Sequence, residues 1–184
     1  MLPQAFYLRG GVTVARDLLG RVLCRRMGGA VLRALLVEVE AYDGPKDRAS
    51  HAWPGRTPRN TPMFEAGGIA YVYLIYGMHH CLNLVTGDAG YPSAVLLRAA
   101  AWAEDPRAAS GPGKLARHFG VDRALNGASL LGPDLWLEEG DPVPDRAVAR
   151  TRRIGVDYAG AWASRRLRFH LKGHPAVSRP RPLR

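Results

Sequence analysis

The run Leu35-Leu36-Val37-Glu38-Val39-Glu40-Ala41-Tyr42 joins the apolar character of a core strand to two carboxylates. A buried acid needs a cation or several donors beside it. The strand must therefore either lie in solvent at a sheet edge or bring a partner charge to itself. Fully extended, it places Leu36, Glu38, Glu40 and Tyr42 on one face and Leu35, Val37 and Val39 on the other. An acid then sits beside an aromatic ring, a poorly solvated setting that suits a group taking a proton from water. On this run alone the plainer alternative stays open, with both acids facing solvent or satisfied by an arginine.

Further features follow. Asp43-Gly44-Pro45 closes the strand and His51 lies just beyond. Ile69 to Tyr76 reads as a strand with Tyr71 and Tyr73 on one face, ending in the turn Tyr76-Gly77-Met78-His79-His80. Turn tips usually carry small polar residues, so a Tyr and a Met around the turn glycine suggest a wedge meant for a partner. Packing on its own hairpin is the alternative. Cys81 to Val85 and Ala94 to Ala99 read as two more strands, the second interrupted by Arg98. A buried arginine needs an anion, and Glu40 is the obvious candidate.

With 184 residues, 47% of them hydrophobic, the chain suffices for one sizeable core and one domain, residues 1–184. The formal charge of +10, carried mostly by arginine, points to a polyanionic partner and best to phosphates. Charge by itself does not choose nucleic acid over membrane. The opening residues lack an apolar core of signal-peptide length, and the apolar run from Ile69 to Met78 is too short to span a bilayer, so a cytoplasmic protein is expected. Cys24 and Cys81 are far apart and outside any Cys-x-x-Cys pattern; both read as small core residues, with no metal site.

In chain order, Thr13 to Gly20 reads as a short helix and Arg21 to Arg26 as a strand, with Met27 to Ala30 turning back into the acidic strand. Lys46 to His51 reads as about a turn and a half of helix behind Pro45, and Trp102 to Asp105 as weakly helical. Residues 52–62 form a basic loop whose Arg56, Arg59 and Asn60 either track a phosphate backbone or stay solvated. Gly111 to Gly120 looks like a glycine-rich helix entry, with Lys114 beside free N–H groups as a phosphate seat or simply a helix start. Leu135 to Leu137 is a short strand. Leu167 to Lys172 alternates apolar and basic, predicting one packed and one positive face, and about 175–184 reads as a loose basic tail. The fold class expected is α/β (α+β), one compact domain built on an antiparallel sheet.

Glu38-Val39-Glu40-Ala41-Tyr42-Asp43-Gly44-Pro45, Thr57-Pro58-Arg59-Asn60, Tyr71-Val72-Tyr73-Leu74-Ile75-Tyr76-Gly77-Met78, Asn83 and Leu96-Leu97-Arg98-Ala99 resemble, in order, the blocks of the alkyladenine (3-methyladenine) DNA glycosylase family. Gly111-Pro112-Gly113-Lys114-Leu115 and Arg153-Ile154-Gly155-Val156 fit its later blocks. The resemblance implies a curved sheet flanked by helices with a protruding hairpin. It further implies a monofunctional enzyme that flips damaged purines out of double-stranded DNA and hydrolyses the N-glycosidic bond. It singles out Glu40 over Glu38 as the base that activates water, with Arg98 holding Glu40 ionised and a carbonyl near Val156 as a third contact to the water. Tyr42, His51 and Tyr73 become the pocket rings, Asn83 the group crowding the 2-amino group of guanine, and Tyr76 with Met78 the intercalating wedge, while Tyr71 is left to sheet packing. It implies a nucleoid-associated monomer without cofactor. A non-catalytic nucleic-acid-binding module using the same basic face and tyrosines is the alternative.

Overall fold

The computed structural model describes residues 1–178. Among them, nine strands form one antiparallel sheet: β1 (Val22–Met27), β2 (Ala30–Asp43), β3 (Ala70–Ile75), β4 (His79–Val85), β5 (Ser93–Ala101), β6 (Ala109–Ser110), β7 (Leu135–Glu138), β8 (Val148–Thr151) and β9 (Arg168–Leu171). The main order is β3-β4-β5-β2-β1-β7, with β6 on β5 and β8 on β9. Three helices, α1 (Gln4–Tyr7), α2 (Gly11–Leu18) and α3 (Pro112–His118), flank it. This is the expected α+β domain with an antiparallel sheet. No helix among the described residues is long and apolar enough to cross a membrane.

β2 is longer than the sequence suggested and changes partners along its length. Ala30 to Leu35 pair with β1, whereas Glu38 to Glu40 pair with β9 on one side and β5 on the other. The acids thus lie on a strand hydrogen-bonded along both edges, which removes the solvent-edge alternative. Register shifts at Leu36/Glu38 and Glu38/Val39 mark a bulge. Leu36 therefore joins Val39 and Ala41 in the main core, while Leu35 and Val37 pack in a separate small cluster with Ala99 and Ala176. Strict alternation had put Leu36 with the acids and Val39 with Leu35 and Val37. One inserted residue switches the face, because side chains repeat every second position.

Other expectations are corrected. Lys46 to His51 form turns and a bend rather than a helix, and of Trp102 to Asp105 only Ala103 and Glu104 bend, without helix. Arg168 does not contribute to a positive outer face; it is buried. The tail expected to be loose from about 175 is docked over its first part, since Ala176 and Ser178 are buried, and residues 179–184 lie outside the described chain.

Val14, Ala15 and Leu18 of α2 and Leu115 and Ala116 of α3 pack into the same main core as Leu97 and Phe169. Gly113 lets α3 lie against the β3–β4 hairpin, where a Cβ would stand 3.2 Å from the His79 side chain. That close approach holds the hairpin base while its tip projects.

Candidate active site

β2, β3, β4 and β5 converge with the loop around 154–158 on a cavity of about 230 Å³. Tyr42, His51, Tyr71, Tyr73, Asn83 and Arg98 are among its walls, with Tyr76 and Tyr158 also lining it. The His51 and Tyr73 rings meet edge to face with centroids 4.4 Å apart, and Tyr71 lies 5.5 Å from Tyr73. Asn83 is buried, its Nδ2 donating to the Tyr71 carbonyl at 3.0 Å.

Glu40 lies just behind this lining with no exposed surface. Its Oε1 accepts from the Ile154 backbone N–H at 2.8 Å and faces Arg98 at 3.3 Å; its Oε2 accepts from the Tyr42 hydroxyl at 2.9 Å. Burial, together with the Glu40 charge, pushes the Tyr42 hydroxyl well above the usual phenol range, so it stays a donor. A carboxylate oxygen offers about two lone pairs, so Oε2 retains capacity for a second donor. Arg98 does not serve Glu40 alone: its Nε donates to Glu38 Oε1 at 2.8 Å, the shorter of its two contacts with acids. The single Arg98–Glu40 pair expected from the sequence is one side of a shared arrangement, because two carboxylates two residues apart on one strand both reach the same guanidinium.

The hairpin tip is strained. Tyr76 has φ 52°, the one positive value on a non-glycine residue among those described, followed by Gly77 at 69°. A left-handed tyrosine costs of order 1–3 kcal/mol unless its surroundings or its use require it. Tyr76 is 87% exposed and Met78 70%.

A model of the methylpurine-DNA glycosylase (MPG) family matches residues 5–175. The chain belongs to this family. It is 54% identical over 183 residues to a protein of Anaeromyxobacter dehalogenans strain 2CP-1, covering 98% of this chain and 87% of the relative. It is 47% identical over 184 residues to one of Myxococcus xanthus strain DK1622, covering 98% and 95%. With a Methanocella arvoryzae protein the identity is 46% over 197 residues, covering 99% and 98%. All three bear the name "Putative 3-methyladenine DNA glycosylase".

In this methylpurine-DNA glycosylase family member, none of the basic residues singled out from the sequence for the DNA backbone lines the cavity. Arg56 is exposed and paired with Glu65 at 2.9 Å. Arg59 stacks over the Tyr73 ring at 5.5 Å and donates to the Leu74 carbonyl at 3.3 Å. Lys114 is exposed on α3, two residues from the cavity-lining Pro112. The Val156 carbonyl accepts from Ala159 N–H at 2.9 Å, and Val156 itself lines the cavity.

Four contributors escaped the sequence reading. Tyr71, assigned to packing alone, also holds His51: its hydroxyl is 2.9 Å from Nδ1. Arg153 grips Asp47 through both terminal nitrogens at 2.5 and 2.8 Å and lies over the Tyr42 ring at 4.6 Å, fixing that ring from outside. Arg168 reaches Glu38 at 2.7 Å. Tyr158, 73% exposed, is tethered at the rim by a 3.3 Å bond to the Ala49 carbonyl. For Arg153 the signal was hidden among Arg150, Arg152 and Arg153, which look alike until the fold buries one of them.

Burial and, secondarily, the Arg59 charge lower His51 to about 4, so the ring is neutral at pH 7 and offers one donor and one acceptor. Its folded value is depressed, so the unfolded chain binds the extra proton between about pH 6.5 and 4. Stability is full above that window and falls through it as pH drops, by up to roughly 3 kcal/mol from this group. His51→Gln should flatten that part of a urea-midpoint-versus-pH curve; an unchanged slope would refute the assignment.

Proposed function

We propose that this chain is a monofunctional DNA glycosylase that rotates an alkylated or deaminated purine out of duplex DNA and hydrolyses its N-glycosidic bond with a water activated by Glu40. The observation that carries this reading is a fully buried carboxylate, held from three sides, directly behind a ring-walled cavity. A target nucleotide is inaccessible within the stack, so extrusion precedes chemistry. Tyr76, presented in a left-handed conformation at the hairpin tip, fills the vacated space with Met78 behind it.

The purine then lies between Tyr42, His51 and Tyr73. At about 230 Å³ the cavity is below the roughly 300–1,000 Å³ of drug-sized pockets, a size suited to one flat heterocycle. Electron-rich ring faces attract the positive charge of 3-methyladenine or 7-methylguanine better than a neutral normal base. A neutral His51 adds no repelling charge. Asn83 crowds the 2-amino position, favouring hypoxanthine and ethenoadenine over guanine. Arg56, Arg59 and Lys114 meet phosphates around the mouth.

As the C1′–N bond breaks, the sugar acquires oxocarbenium character. Glu40 removes the proton from the attacking water and its charge opposes the developing cation. The Ile154 N–H, Arg98 and the Tyr42 hydroxyl keep the carboxylate aimed. The products are free base and an abasic strand; without a lysine nucleophile no strand cleavage follows.

The test is base release from duplexes carrying a single hypoxanthine, ethenoadenine or methylated purine, and no release from any of them refutes the reading. Tyr76→Ala should weaken lesion-duplex processing by roughly 5- to 150-fold, the equivalent of about 1–3 kcal/mol of lost base stacking. A hydrolase of free nucleosides would be indifferent to that change.

A further inference from the structure

Behind Glu40 lies a second carboxylate that the proposed chemistry does not use. Glu38 is buried and accepts four bonds: from Arg98 Nε at 2.8 Å, Arg168 Nε at 2.7 Å, Ser178 Oγ at 2.9 Å and the Ser178 backbone N–H at 2.6 Å. Arg98 also reaches the Ser178 hydroxyl through Nη2 at 3.4 Å, leaving Nη1 for Glu40 at 3.3 Å. Arg168 is fixed in turn by the Thr151 hydroxyl at 3.1 Å and the Ser178 carbonyl at 3.3 Å. Two acids and two arginines form an electroneutral buried set, closed by a segment near the end of the described chain.

We infer that Glu38, Arg168 and Ser178 are positioning residues: they orient the Arg98 guanidinium, and through it the Glu40 carboxylate, from the side of the sheet partner β9 and the segment 175–178. This rests on the glycosylase reading given above. Arg98 faces two acids and has one orientation that serves both. Ser178 and Arg168 supply three of the four bonds that Glu38 accepts, so Glu38 does not draw the whole fork of Arg98 to itself. A Glu38 used merely for stability would be an expensive choice, since an apolar residue of similar volume is often as stable or better than a buried ion set.

Burial alone would raise the Glu38 carboxyl, but Arg98 and Arg168 outweigh it and hold it below the usual carboxylate range. The other groups facing this set are the Tyr42 hydroxyl, Arg153 with its partner Asp47, Tyr73 and Cys81. The two carboxylates share Arg98.

The test compares full-length variants in pH-resolved single-turnover and steady-state base release. Glu38→Gln leaves the set with a net positive charge and should move the acid limb of kcat down by about one pH unit. Arg168→Met leaves it net negative and should move that limb up by about one unit. Arg168→Lys should restore much of the shift. Ser178→Ala, the mildest change, should lower kcat about 10- to 100-fold with KM little altered, since a small misplacement of a catalytic group is that costly. Shifts in the same direction for Glu38→Gln and Arg168→Met, or none, overturn the inference, as does an unchanged kcat in Ser178→Ala. A second measurement is independent of turnover: the Arg98 Nε–H resonance in ¹⁵N-edited spectra should be displaced by Glu38→Gln and by Ser178→Ala. If the wild type releases no base, the glycosylase reading fails, while that resonance still decides the positioning: displaced, it stands; unmoved, it falls.

Discussion

Glu40→Gln should abolish base release, by at least about 10³-fold, while binding of a lesion-containing duplex stays close to wild type. The substitution is nearly isosteric. Its amide oxygen can keep the Ile154 N–H and Arg98 contacts, and its NH₂ can face the Tyr42 hydroxyl, which then accepts instead of donating. On the proposed mechanism, what disappears is the group that takes a proton and the negative charge that stabilises the sugar cation. A purely binding protein would show no release even before mutation, so the comparison with wild type separates the two readings. Release by Glu40→Gln within tenfold of wild type would exclude Glu40 as the base.

Arg98→Met should be damaging twice over. Glu38 would keep Arg168 while Glu40 would lose its ion pair, and removing one partner from a buried ionic arrangement typically costs about 3–5 kcal/mol. Turnover falls as well, because Glu40 loses one of its three anchors. The pH dependence carries a distinct signature. In the wild type the Glu38 carboxyl is depressed, so its contribution is present above the ordinary carboxylate range and lost as pH falls. In Arg98→Met the surplus acid takes up a proton on folding, so the deficit relative to wild type should shrink as pH is lowered. Urea midpoints measured from pH 8 to pH 5 read this directly; a constant deficit would argue against the shared-cation arrangement.

Much of the site was legible because its residues break local rules. Acids in an apolar strand, an arginine in another and a tyrosine at a turn tip each conflict with their surroundings, and such conflicts mark positions held for function. Glu40, Arg98, Tyr42, His51, Tyr73 and Asn83 do converge on one cavity or its immediate backing. The resemblance ranked Glu40 over Glu38; composition and spacing alone had not. Less legible were features that depend on one residue's register. The bulge near Glu38 inverted the face of Leu36, and no local pattern announces an extra residue inside an apolar run. Lys46 to His51 had acceptable helix composition, yet Asp47 is consumed by Arg153, whose sequence separation of 106 no window reads.

By itself the sequence determined the antiparallel strand framework, the basic character, the hairpin with its apolar tip and a strand carrying two acids among apolar neighbours. These follow from side-chain periodicity and from residue types whose burial demands an explanation. Only the tertiary structure decided which charge meets which. Arg98 turned out to be divided between two acids, Arg168 to be internal rather than a surface cation, and Ser178 to close the set from the far end of the chain. The physical reason is that ion pairing depends on a few ångströms in space, which β9 supplies by replacing β1 beside β2, and such an exchange of strand partners leaves no trace in local sequence.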